Sequence, residues 1–275
     1  MWRHWAAWAV HAAWHWIQRA GTVTAETAGA RRFASFGPGS MLAFPTGAVY
    51  GEQWIEIGAG TMVGEQASIC AGMSPGHDLG SGTVLRIGDR CVIGRGSHIV
   101  AHHGIDIGDD VFTGPYVYIT DQNHSYADPE VPIGRQWPVN APVSIGAGTW
   151  LGTGVIVLPG AVIGRNVVVA AGSVVKGEIG DLCVVAGAPA RVVKRFDPHD
   201  GWTRPTADAG LAGPGAGLAG PGAGLAGPGA GLAGPGEDRI VALLGEALAD
   251  EPLVDVALVD EPLPAGDLLA EGSAG

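Results

Sequence analysis

Between Val143 and Val185 every sixth position is aliphatic: Ile145, Leu151, Val157, Ile163, Val169 and Val175. Three positions after each of the first five stand Gly148, Gly154, Gly160, Asn166 and Gly172. The next position holds Thr149, Val155, Ala161, Val167 and Ser173, small or β-branched throughout. This spacing fits neither the period of about 3.6 of an amphipathic helix nor the alternation of a simple strand. It predicts a solenoid coil of three flat strands. One aliphatic in each six points inward, and the small residue fills the narrow interior beside it. Gly or Asn takes the corner, because those residues tolerate φ > 0 at least cost. Three hexapeptides close one triangular coil, and each coil covers the apolar surface of the one before. The expected fold is all-β, a parallel β-helix.

The same spacing recurs upstream. It begins near Phe36, is regular at Ile57, Val63 and Ile69, and resumes at Ile87, Ile93 and Ile99 and at Ile107, Thr113 and Ile119. Three departures interrupt it. A Gly-rich stretch runs from Met73 to Thr83. The step from Ile99 to Ile107 is eight residues rather than six, so Ala101 to Gly104 is expected to bulge from the coil. Thr120 to Pro142, with Asp128-Pro129, Val131-Pro132 and Trp137-Pro138, is expected to be a long loop. Long loops on a tight scaffold are where function concentrates.

Outside the repeats the pattern changes. Residues 2–19 place Trp2, Trp5, Trp8, Trp14 and Trp16 among alanines, with Arg3, His4, His11, His15 and Arg19. This predicts a helix too interrupted by polar groups to span a bilayer. Two roles are open to it: peripheral contact with a membrane, since Trp favours the headgroup level, or packing against the solenoid end or a neighbouring subunit. After Val185 the segment AGAPARVVKRF leaves the coil. From Gly210 the unit GLAGPGA recurs, and residues 205–236 are expected to be a flexible linker, because such a tract cannot bury enough apolar surface to order itself. Residues 237–275 form an acidic tail, with Ile240, Leu243, Leu244 and Leu248 at helical spacing.

Composition narrows the classes. Of 275 residues, 47 are Gly and only 15% are charged, as suits a Gly-turned solenoid. The net charge of −12 sits mostly in residues 205–275, which hold 11 acids and one Arg, so residues 1–204 are near neutral. No basic field exists to collect phosphates, and no nucleic-acid partner is expected. Cys70, Cys91 and Cys183 are odd in number and lack CxxC spacing; they read as buried apolar residues of a reducing compartment. No signal peptide is visible. The expected location is cytoplasmic, with the inner face of the membrane open through residues 2–19.

ITDQNHSYADP, then a loop, then IGAGTWLGTGVIVLPGAVIG and AGAPARVVKR, make residues 36–196 similar to the hexapeptide-repeat O-acetyltransferases, the group containing galactoside and maltose acetyltransferases. The resemblance implies a left-handed coil, against the usual handedness of parallel crossovers. It also implies side-by-side homotrimers with sites between subunits, and transfer of an acetyl group from acetyl-coenzyme A to a hydroxyl of a sugar or cell-envelope glycan. His124 would be the catalytic base that takes the proton of that hydroxyl, a role suited to imidazole chemistry near neutral pH. Asp121 is a candidate to hold its other ring nitrogen. Trp150 matches a position lining the donor and acceptor site. Thr153 and Ala171 match positions whose backbone binds the pantetheine arm. Lys176, Arg191 and Lys194 match cationic positions at the nucleotide end, where phosphates call for Lys or Arg. One position departs: where the family has an acceptor-contacting Asn one coil before the His, alignment puts Gly94. Asp121, Asn123, His98 and His102, with His103 beside them, are then the candidate acceptor contacts.

Each of these residues has a plainer reading: a loop His in solvent, a Trp in subunit packing, solvated charges. Two other functions share the fold. One is a zinc-dependent hydratase of carbonic-anhydrase type using His98, His102 and His103; the other is a non-catalytic trimeric scaffold presenting the tail. The acetyltransferase reading calls for no resident metal.

Overall fold

The computed structural model describes residues 2–205, so the acidic tail and all but the first residue of the expected linker lie outside the described residues. Three largely parallel sheets wind into a left-handed β-helix, with antiparallel strands only at the two ends of one of them, sheet A. Sheet A has ten strands, sheet B seven and sheet C six. The chain visits them in the order B, A, C, coil after coil. The inward aliphatics stack in register. Ile57, Ile87, Ile107, Ile145 and Ile163 form the ladder of sheet B. Ile69, Ile99, Ile119, Val157 and Val175 form that of sheet C. Val63 and Ile93, then Leu151, Val169 and Val185, form that of sheet A. All are buried, which is why one aliphatic in six suffices to hold a coil: its neighbours above and below complete the core.

The expected corner residues have the expected backbone. Gly148, Gly154, Gly160, Asn166 and Gly172 have φ of 70°, 67°, 77°, 51° and 69°. The same register position elsewhere carries Gln66, Arg90, Asp110, Tyr116 and Leu182, at φ of 60°, 54°, 56°, 60° and 53°. Here the coil imposes a left-handed turn on side chains that resist it, at a cost of about 1–2 kcal/mol each. Stacking between coils overrides local preference.

The first coil comprises Ser35–Phe36, Met41–Leu42 and Val49–Tyr50, one strand per sheet. At the far end Arg191–Asp197 folds back antiparallel on Cys183–Ala186, followed by Gly201–Thr203. Cys70, Cys91 and Cys183 are free and buried, and burial pushes each thiol up. Helix α1, Trp2–Gly21, is exposed from Arg3 through Ile17. Gln18 donates from Nε2 to Glu65 Oε1 at 2.9 Å. Packing of the helix against the solenoid end is therefore confined to its last turn. The three departures from the period all fall between sheets C and B: residues 72–84, residues 102–104, and an arm over residues 121–142.

Candidate functional site

The three corners of the prism are chemically distinct, and the difference begins with one amide. At corner BA, between sheets B and A, an aspartate of the next coil caps three of the amides two residues past the inward aliphatic, while those of Asp109 and Ala147 have no acceptor among the described residues. Ala59 N–H donates to Asp89 Oδ1 at 2.7 Å, Asp89 N–H to Asp109 Oδ1 at 2.9 Å, and Arg165 N–H to Asp181 Oδ1 at 3.0 Å. At corner AC, between sheets A and C, the equivalent amides of Thr153 and Ala171 have no acceptor among the described residues. Pro115 occupies the same register one coil earlier. The coils here approach closely because Gly114 and Gly152 lack a Cβ; one would stand 2.7 Å from the Thr153 amide and 2.6 Å from that of Ala171. Gly172 N–H donates to Thr153 O at 2.9 Å, and the exit turn closes the stack, with Val174 N–H to Gly187 O at 3.0 Å and Ala190 N–H to Val174 O at 2.8 Å.

Arg191 emerges from that turn, exposed, with Nη1 at 3.1 Å from Ala190 O. Thr153, Ala171 and Arg191 thus share one edge. Lys194 follows on the exit strand, opposite Val184. Lys176 stands apart, exposed at the other end of the Val174–Val175 strand, toward corner CB. Trp150 points outward from sheet A, 43% exposed, between Phe112 and Val168 in register.

Corner CB, between sheets C and B, holds the arm. Its stem is a two-stranded antiparallel ribbon, Gln122–Asn123 with Val139–Asn140. Gln136 knits its tip: its Nε2 donates to the carbonyls of Asp128 and Val131, both at 2.8 Å. His124 follows the stem directly and is exposed, with no side-chain hydrogen bond among the described residues. Asp121 does not hold it. That carboxylate is fully buried and accepts from the amides of His102 (2.8 and 3.0 Å), His103 (2.7 Å) and Gly104 (2.6 Å). The expectation that Asp121 touches the acceptor gives way to a structural role: it fastens the bulge of one coil to the root of the arm in the next.

The other candidates separate. Asn123 is exposed on the stem. His98 lies on the flat of sheet C, its Nε2 3.2 Å from Ser68 Oγ, beside Tyr118 in register. His102 turns toward His77, the rings edge to face at 6.5 Å. Burial holds its pKa below the ordinary value and His77 adds to the effect, while Asp121 opposes it. Among the described residues no three His, Cys, Asp or Glu side chains gather as a metal would require. Gly94 proves to be a packing residue of corner AC, where a Cβ would strike the Gly114 carbonyl. The residues that lie one coil before the arm root at the same corner are His102 and His103, because the bulge shifts the register that a constant period assumes.

Spacing alone missed Gln122. Its Oε1, like His102 Nε2, is buried without a partner, and Asp121 ties both residues to one corner. No periodic signal could have found it, since it lies where the period fails.

Residues 142–177 match the bacterial transferase hexapeptide (six repeats), and residues 84–120 match the hexapeptide repeat of succinyl-transferase. A probable acetyltransferase of Mycobacterium tuberculosis is 41% identical over 140 residues, 51% of this chain and 44% of that protein. A putative lipopolysaccharide biosynthesis O-acetyl transferase of Escherichia coli is 36% identical, over 42% and 62%. The galactoside O-acetyltransferase of Escherichia coli is 31% identical, over 43% and 58%. The matches thus span about half the length of these relatives. The fold matches that of an N-acyltransferase from Bacillus cereus solved with dTDP and coenzyme A, at a TM-score of 0.54 and 19% identity, over 65% of this chain and 92% of that one. Repeat, register and relatives agree: the β-helix of this chain is a hexapeptide-repeat domain similar to those of the O-acetyltransferases.

Proposed function

We propose that this protein transfers an acetyl group from acetyl-coenzyme A to a hydroxyl of a sugar or cell-envelope glycan precursor. The observation that carries this is the open edge of corner AC ending on Arg191, which has no carboxylate partner among the described residues. The open amides of Asp109 and Ala147 at corner BA end instead on Arg165, already paired with Asp181. Two stacked amides without acceptors suit the carbonyls of a pantetheine arm, and Arg191 at the end of the stack, with Lys194 beyond it, suits phosphates. The named relatives support the chemistry: one is a galactoside O-acetyltransferase by its name and another is named a putative lipopolysaccharide biosynthesis O-acetyl transferase. The Bacillus cereus N-acyltransferase, alike in fold, was solved with coenzyme A.

The chemistry needs a base, and His124 is the candidate. It takes the proton of the acceptor hydroxyl as that oxygen bonds to the thioester carbonyl carbon. The C–S bond then breaks, and the proton passes from the imidazole to the departing coenzyme A sulfur. No covalent enzyme intermediate is needed. His103 and Asn123, exposed at the same corner, are suited to meet acceptor hydroxyls. Corner CB and corner AC are separated by the flat of sheet C, roughly 20 Å at about 3.3 Å per residue. A donor on one edge is therefore beyond the reach of His124 in the same chain. That separation supports a composite site between copies in a homotrimer. The outward ladders fit: sheet A presents Met62, Val92, Phe112, Trp150 and Val168. Sheet B presents Glu56, Arg86, Asp106, Ser144, Val162 and Glu178, polar at every position but Val162.

Calorimetric titration of coenzyme A into the full chain tests this. Micromolar binding, weakened about tenfold by Arg191→Ala through loss of a charged hydrogen bond, is expected. No binding to the native chain would overturn it, and stoichiometric zinc with hydratase activity would favour the carbonic-anhydrase reading.

A further inference from the structure

Helix α1 is the largest apolar feature that the proposed chemistry leaves unused. Trp5, Trp8 and Trp16 are 72%, 67% and 71% exposed, and Val10 and Ile17 are exposed with them. At about 100° per residue, Trp5, Ala6, Ala9, Val10, Ala13, Trp16 and Ile17 fall on one broad face. His4, His11, His15 and Gln18 form a stripe on the other. The two boundaries between these faces each carry one Trp and one Arg: Trp8 with Arg19, and Trp14 with Arg3. Gln18, the residue that bonds the solenoid through Glu65, lies on the polar stripe. The apolar face is therefore turned away from the body of the protein.

Two occupants could cover such a face, and composition separates them. A helix that packs on a second helix uses aliphatic knobs, but α1 contains no Leu, Met or Phe, and Val10 and Ile17 are its only large aliphatics. Its bulk is indole, an apolar body with an N–H that needs a polar neighbour. α1 also contains two Arg and no acid, so two copies repel while an anionic surface attracts. A span is excluded for this helix, since none in the described residues is long and apolar enough to cross a membrane. Its 20 residues make roughly 30 Å of rod, suited to lying flat.

We infer that α1 lies in the headgroup layer of an anionic lipid bilayer. The Trp5–Trp16 face is embedded, Trp8 with Arg19 and Trp14 with Arg3 sit at headgroup level, and the histidine stripe faces the solenoid side. This stands independently of the acetyl-transfer reading, because its test uses no coenzyme A.

The test is flotation of the full chain with vesicles of equal parts phosphatidylglycerol and phosphatidylcholine, or of phosphatidylcholine alone. Expected is flotation with the anionic vesicles, at least tenfold weaker with phosphatidylcholine and weakened by salt, as two Arg at a charged surface require. Trp5→Ser with Trp16→Ser should abolish it, and Arg3→Glu with Arg19→Glu should remove the preference for phosphatidylglycerol. Failure to float with either vesicle would overturn the inference. So would undiminished flotation of the Trp variant, or a Trp variant that splits an oligomer in light scattering while the native chain ignores vesicles.

Discussion

Corners BA and AC are built from the same hexapeptide backbone, yet carboxylates cap three amides of the first and none of the second among the described residues. At corner BA an aspartate one coil on takes the outward amide, as Asp89, Asp109 and Asp181 do for Ala59, Asp89 and Arg165. At corner AC the residues at that register are Glu65, Arg95, Pro115, Thr153 and Ala171; the one carboxylate among them, Glu65, accepts from Gln18 of α1 instead. The coil is indifferent to the choice, since its core is complete either way. A repeat thus fixes the scaffold and leaves the corners free to differ, and the difference is where a ligand can be read.

The largest expected effect tests the partner edge. His124→Ala should lower acetyl transfer by about 10²–10⁴-fold with the oligomer intact in light scattering, since His124 is exposed and bonds nothing in the fold. Unchanged turnover would leave the open edge without its base.

Next comes the fastening of corner CB. Asp121→Ala strands three amides that the carboxylate now accepts from and should cost about 3 kcal/mol in thermal or denaturant unfolding. A change within experimental scatter would mean that the bulge holds itself.

The comparison between corners is sharpened most by proline. Pro115 shows that the corner AC backbone accommodates it, so Thr153→Pro deletes little but the open N–H and side chain. Affinity for coenzyme A should fall up to about tenfold, as one hydrogen bond allows, while Thr153→Ala, which keeps the amide, should retain it. Asp89→Ala, which opens an amide at corner BA, should leave that affinity unchanged. Equal losses at both corners would dissolve the distinction.

The smallest effect concerns His102. Burial holds its pKa below the ordinary 6.5, so the unfolded chain binds the proton first as pH falls. Stability should then decline below about pH 6.5 and level off under the folded value. His102→Gln should flatten that part of the stability curve; an unaltered slope would mean that the ring meets water in the folded state.

Much of the coil was legible in sequence. The inward ladder from Ile145 to Val175 and the left-handed turns at Gly148 and Asn166 follow from one aliphatic and one corner residue in six. The positive φ of Tyr116 and Leu182 was not legible, because a Tyr or Leu carries no local sign of it. Nor was the role of Asp121, whose partners lie 17 to 19 residues earlier. His98, His102 and His103 look like one cluster in the chain, but the flat of sheet C and the bulge set them apart.

The sequence by itself determined the repeat, the sheets it closes and the places where it breaks, because periodic burial is a local property repeated many times. Only the tertiary structure decided which amides stay open, which carboxylate is buried and which way α1 turns its Trp face. Those depend on what residues of adjacent coils place beside one another, and a spacing pattern within one coil carries no record of that.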